Sequence, residues 1–158
     1  MARVEIKNVE RLISRLKGID AISLVPLVQK STLLVEAQAK ALAPVNDGGL
    51  RMSIHPDVQV VGKKVVGKVS TAKEYAMYVE FGTGSKGAGT YPHEVKSLSL
   101  QYRSDGWVYT PDGGETFYYT NGMVARPFMY PSLEMNKGKI INIMNDGYKD
   151  LINRAIGG

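Results

Sequence analysis

Residues 127–158 read PFMYPSLEMNKGKIINIMNDGYKDLINRAIGG, and the fold class turns on how this stretch is taken. Leu133, Ile140, Ile141, Met144, Tyr148, Leu151, Ile152 and Ala155 fall on one stripe at helical spacing. Pro131 suits a first turn and Gly157-Gly158 an ending, so the spacing predicts one long C-terminal helix despite Gly138 and Gly147. A second long pattern lies in the first half. There Leu24, Leu27, Val28, Ser31, Val35, Gln38, Ala39 and Leu42 share a face before Ala43-Pro44, which predicts a helix from about Asp20 or Pro26 to Ala43. Pro26 is either tolerated near its first turn or kinks it. A shorter amphipathic helix is expected over Val9, Leu12, Ile13 and Leu16, closed by Gly18.

Between the two long helices the periodicity changes. APVNDGGLRMSIHP, residues 43–56, is rich in turn residues and is read as a loop with a one-turn element near Leu50–Ile54. DVQVVGKKVVGKVST, residues 57–71, gives two valine-rich runs around Gly62-Lys63-Lys64, the pattern of a β-hairpin. In AKEYAMYVEFG, residues 72–82, apolar residues fit both a helical and an alternating period, and we read a short helix. Residues 85–124 turn to Gly, Ser, Thr and Tyr, with short alternating runs SLSLQYR, GWVYT and TFYYT. They are read as a loop-rich excursion with two or three strands, of the kind that more often carries function than filler. Two long amphipathic helices must bury their stripes. The expected class is therefore α+β: a small, mostly antiparallel sheet packed by a helix of the N-terminal half and a long C-terminal helix. Length and apolar content support a single domain over residues 1–158, with the excursion at about 85–124.

Composition excludes several chemistries. The 158 residues contain no cysteine, which removes disulfides, thiolate metal sites and a cysteine nucleophile. No run approaches the roughly 18 apolar residues of a membrane span, and the charged start MARVEIKNVERL is unlike a signal peptide, so a soluble protein without membrane contact is expected. The net charge of +5 is dispersed, at 7 Lys/Arg against 4 Asp/Glu in residues 1–42, 8 against 8 in 43–122, and 5 against 3 in 123–158. Sequence-specific DNA binders concentrate such charge. Only VGKKVVGK clusters it, and a solvated hairpin turn explains that cluster better.

Candidate catalytic groups are sparse. His55 and His93 are the two histidines, and neither has metal-ligand spacing. GTGSKGAG has the glycines of a phosphate loop without their order and is read as a flexible loop. Glu80, Asp112 and Glu115 supply carboxylates for a glycosidase pair, but nothing local fixes their separation. Asp112-Gly113-Gly114 is turn chemistry. No catalytic residue, metal or cofactor is assigned.

Three blocks taken in order do carry a resemblance. APVNDGGLRMSI (43–54), EYAMYVEFGTG (74–84) and ARPFMYPSLE (125–134) together resemble the neck or tail-completion proteins of long-tailed double-stranded DNA phages, also described as head–tail joining or minor tail components. The stretch 85–124 is longer than in the shortest members of that family. The resemblance implies a structural, non-enzymatic virion protein, made in the host cytoplasm. It implies a homo-oligomeric ring, six- or twelve-fold, at the neck between head-closure or connector proteins and the tail tube, with non-specific DNA in its lumen. A tail terminator ring is the alternative within the class, and a DNA-binding or carbohydrate-active protein the remote one. Subunits around an axis meet through two different patches. Glu80, Phe81, Gly82, Thr83, Gly84, Trp107, Arg126, Pro127 and Phe128 are the residues expected at the subunit interface or the hinge of the excursion. For Glu80 two readings stand: a bidentate pair with Arg126 across the ends of the excursion, or a solvated charge.

Overall fold

The computed structural model describes residues 21–92, 99–111 and 113–157. The expected helix over Val9–Leu16, His93 and Asp112 lie outside the described residues. Among these residues five helices and four strands follow one another: α1 (Ala21–Leu42), α2 (Gly49–Met52), β1 (Ile54–Val61), β2 (Lys64–Thr71), α3 (Ala76–Phe81), α4 (Gly84–Gly87), β3 (Trp107–Tyr109), β4 (Tyr118–Thr120) and α5 (Met129–Gly157). The class is α+β, as the periodicities require. The strands form two separate two-stranded sheets, β1 with β2 and β3 with β4. Both long helices, the one-turn element and the short helix at 76–81 form. The alternating run at 99–103 does not become a strand.

Described residues gather into two compact units. The first takes residues 21–36 of α1, 56–70 of the hairpin and 135–157 of α5. Its hairpin turns through two residues, Gly62 and Lys63, with Gly62 at φ 60°, a left-handed value at which glycine carries no steric penalty. Two-residue connections join antiparallel strands. Along β2, Val65, Gly67 and Val69 share one face, because side chains alternate. Gly67 lets α1 approach that face: a Cβ at Gly67 would meet Thr32 Cγ2 and would lie 2.7 Å from Val28 Cγ1. Ser31 and Thr32 are buried here and bond back to their own helix, Ser31 Oγ to the Leu27 carbonyl and Thr32 Oγ1 to the Gln29 carbonyl, each at 2.9 Å. Leu27 in turn fills the space over Gly147 of α5, where an added Cβ would collide with its methyl groups.

The second unit comprises residues 37–55 and 71–134. Its buried apolar residues are Ala39, Ala43, Leu50, Ile54, Ala76 and Phe128. A hydroxyl pair closes the base of the first hairpin, with Ser53 Oγ and Thr71 Oγ1 2.6 Å apart. The second hairpin is antiparallel, with Trp107 opposite Thr120, Val108 opposite Tyr119 and Tyr109 opposite Tyr118.

The two glycines inside α5 have different reasons to be there, which gives a contrast to measure. Gly138 meets nothing within 4 Å of an added Cβ, so Gly138→Ala should stabilise by about 0.5–1 kcal/mol through helix propensity. Gly147→Val should destabilise by about 1–3 kcal/mol, because Leu27 must leave its place. Thermal unfolding of the two variants is expected to shift in opposite directions.

Candidate functional site

Glu80 lies on α3 with only 5% of its surface exposed. Its carboxylate accepts hydrogen bonds from three consecutive backbone N–H groups: Phe128 to Oε2 at 2.7 Å, Met129 to Oε2 at 2.9 Å and Tyr130 to Oε1 at 3.1 Å. A helix begins with N–H groups that have no partner inside it. In α5, which starts at Met129, those are the N–H groups of the capping residue and of the first helical positions. Glu80 takes three of them, and the next residue, Pro131, has none to offer. The whole N-terminus is thereby satisfied by one side chain supplied from nearly 50 residues upstream. The positive end of the helix dipole adds to the attraction. The Tyr91 hydroxyl approaches Glu80 Oε1 at 3.4 Å. Burial, and after it the neighbouring Glu80 charge, hold the Tyr91 phenol well above its ordinary range.

This arrangement replaces both readings that the sequence offered for Glu80. The carboxylate is not solvated, and its oxygens are turned to backbone donors rather than to Arg126. Arg126 is exposed and ties the ends of the excursion through its main chain, its N–H donating to the Val79 carbonyl at 2.8 Å. Its side chain lines a depression of about 520 Å³ together with Asp47, Leu50 and Val79. Sequence reasoning found the right residue and the wrong partner. The signal for the true partner was present: a proline three residues into a helix that lacks a Ser, Thr, Asp or Asn cap, since Phe128 occupies the capping position.

The other expected site residues cluster around the same point. Thr83 pairs with Met123 as an isolated antiparallel bridge, with N–H to carbonyl distances of 2.9 and 3.1 Å. Gly82 and Gly84 have φ of 78° and 61° and leave no room for a side chain. A Cβ at Gly82 would come within 2.8 Å of the Met123 carbonyl oxygen and the Ala125 nitrogen, and one at Gly84 would overlap the Asn121 carbonyl. Both glycines thus let two backbone segments meet, where the sequence suggested freedom to swing. Phe81 packs edge-on against Tyr91 with ring centroids 4.9 Å apart, and its carbonyl accepts the Tyr102 hydroxyl at 2.9 Å. Phe128 is 0% exposed, so its side chain belongs to the core, and Pro127 is half-buried beside it.

Trp107 stands at the root of the β3–β4 hairpin and lines a groove of about 790 Å³ with Met77, Tyr78, Phe81, Leu100 and Tyr102. Sequence reasoning placed Trp107 in the site but missed Met77, Tyr78 and Leu100, because short-range periodicity does not reveal which exposed apolar residues converge. Among the described residues no group of three or more His, Asp or Glu is placed to hold a metal ion. No described helix is long and apolar enough to cross a membrane.

Residues 6–82 match the family model HK97-gp10-like, described as "Bacteriophage HK97-gp10, putative tail-component". Over that stretch the chain is similar to a phage tail component. The match spans the block at 43–54 and most of the block at 74–84, including Glu80, while the block at 125–134 lies beyond it. Comparison with curated proteins and with solved structures gave no match.

Removing the Glu80 carboxylate strands three donors, that of Phe128 buried and those of Met129 and Tyr130 part-buried. Glu80→Ala should therefore cost about 3 kcal/mol of stability, and Glu80→Gln, which keeps one acceptor oxygen, about half of that. Arg126→Ala should change stability by less than about 0.5 kcal/mol, as expected for an exposed side chain. Urea unfolding of the three variants checks this order, which a Glu80–Arg126 ion pair would not produce.

Proposed function

We propose that this protein is a structural subunit of the phage neck, forming a ring of identical copies that joins the head-closure complex to the tail tube. The observation that carries the reading is the match of residues 6–82 to a phage tail-component family. Two features support it. The most enzyme-like carboxylate, Glu80, is committed to backbone donors and so is not placed to transfer a proton to a substrate. The second unit carries large exposed apolar side chains, among them Met77, Tyr78, Phe117 and Tyr119, the kind of surface that marks a contact with a partner where it is contiguous. A ring of six or twelve copies would enclose DNA. With basic residues dispersed along the sequence, contact with that DNA would be weak and without sequence preference, which suits a channel through which it must slide.

The tail terminator is the second reading within the class, and loss of the gene separates the two. A joining protein is dispensable for building either part, so its loss should leave DNA-filled heads and tails of normal length that fail to combine. Loss of a terminator should give tails of uncontrolled length. Electron microscopy of lysates lacking the protein is expected to show the first outcome, with joining restored on adding it back. Normal virions in its absence would overturn both readings. Purified protein should also bind duplex DNA only weakly, with affinity that falls steeply between about 50 and 200 mM salt.

A further inference from the structure

The β3–β4 hairpin is a ribbon that leaves both of its faces open. Phe117 and Tyr119 are each 69% exposed, and Val108, Tyr109 and Tyr118 are exposed beside them. Tyr109 and Tyr118 lean on each other with centroids 5.8 Å apart, which holds the aromatic surface in shape. A two-stranded hairpin alone is marginal in water, so covering this one with apolar surface is favourable. The same unit holds a surface of complementary character. The groove of about 790 Å³ is walled by Met77, Tyr78, Phe81, Leu100 and Trp107, and among its lining residues Arg103 carries the one charge. Aromatic residues, methionine and arginine are the types enriched at the cores of protein interfaces.

Charge decides the occupant. Between Arg103 and Arg126 the chain has no Lys or Arg, while Asp105, Asp112 and Glu115 lie on that stretch. An aromatic, acidic hairpin and an aromatic groove bearing a single cation therefore exist on one polypeptide. Trp107, at the hairpin root, already lines the groove, whereas Phe117 and Tyr119 remain exposed; the hairpin of a chain does not fill its own groove. Resting on the reading of a ring of identical copies, we infer that the β3–β4 hairpin of one copy docks in the Met77–Tyr78–Trp107 groove of the next, with Glu115 toward Arg103. This is a contact between two different patches, which repeats around an axis and closes without a leftover surface. Opposite charges would set the register of the insertion more than its strength.

The absence of cysteine from the sequence makes the contact directly testable. Tyr78→Cys and Phe117→Cys, placed together in one chain and treated with a short bis-maleimide, should give a ladder of covalent oligomers up to a closed ring. Each single variant should stay uncross-linked, since position 78 then meets no thiol at 117. A mixture of the two single variants should stop at dimers. In parallel, Phe117→Asp should lower the assembled fraction at least tenfold by light scattering with its circular dichroism unchanged. Cross-linking of the single variants to the same extent as the double would overturn the hairpin-in-groove contact. So would an unmodified protein that forms rings while the double variant gives no ladder and Phe117→Asp assembles normally; in that case the ring reading survives. Wild-type protein that stays monomeric when concentrated, and is present as a single copy in virions, would remove the ring and this contact together.

Discussion

One carboxylate holds the second unit together. Burying an ionised side chain is expensive unless its lone pairs are filled, and Glu80 meets that condition with three main-chain N–H donors and a phenol. Each charge-assisted bond is stronger than a neutral one, and all three main-chain donors belong to groups that the helix itself leaves orphaned. A short helix centred on residues 76–81 is thus fixed against the start of the chain's longest helix across 48 to 50 residues of sequence. Pro131 fits because the carboxylate has only so many oxygen lone pairs to give. With a fourth N–H at that position, another acceptor would be needed; without it, the account closes.

Around this cap the backbone is drawn tight by glycine. Gly82, Gly84 and Gly122 all have positive φ, and an added side chain at any of them would strike main-chain atoms of the facing segment. The bridge between Thr83 and Met123 lies in the middle of these approaches. The effect is a clamp one residue wide at the neck of the excursion. What emerges beyond it is held at its base, and its β3–β4 hairpin is exposed at Val108, Tyr109, Tyr118 and Tyr119, a combination that suits a surface feature whose position must be defined while its side chains remain available.

Much of the fold could be read from the chain, and the reasons are local. The stripes at 24–42 and 133–155 are long enough for the 3.6-residue period to dominate, and GKK between valine runs has few alternatives to a hairpin turn. At 72–82 the two periods are equally matched, and the helix that forms is the one from which Glu80 reaches the N–H groups of Phe128, Met129 and Tyr130. The pairing of Glu80 was half legible: a helix start with Phe128 in the capping position and Pro131 behind it calls for an acceptor from elsewhere, but nothing local says which, and Arg126 offered Glu80 an apparent partner. Nor was the groove, whose walls come from residues 75, 77–79, 81–84, 100–103, 107 and 123. Convergence of that kind is set by tertiary structure. Gly82 and Gly84 were recognised as special, but as freedom of movement, when the constraint at work is close approach; sequence alone shows that a side chain is missing and not what occupies its place.

The same clamp would let the segment between Glu80 and Phe128 vary in length. The matched region ends at residue 82, just after Glu80, while the donors it binds resume at Phe128. With both ends fixed by the cap and by the Thr83–Met123 bridge, the segment between them contributes mainly loop-closure entropy. That entropy grows only as the logarithm of length, about 0.6 kcal/mol for each doubling. A cap whose three charge-assisted bonds are each worth roughly 1.5–3 kcal/mol outweighs such a cost several times over. The clamp can therefore carry a short loop or a long hairpin on the same core, and the surface presented to a partner is free to change while the carboxylate and the helix start it holds stay in place.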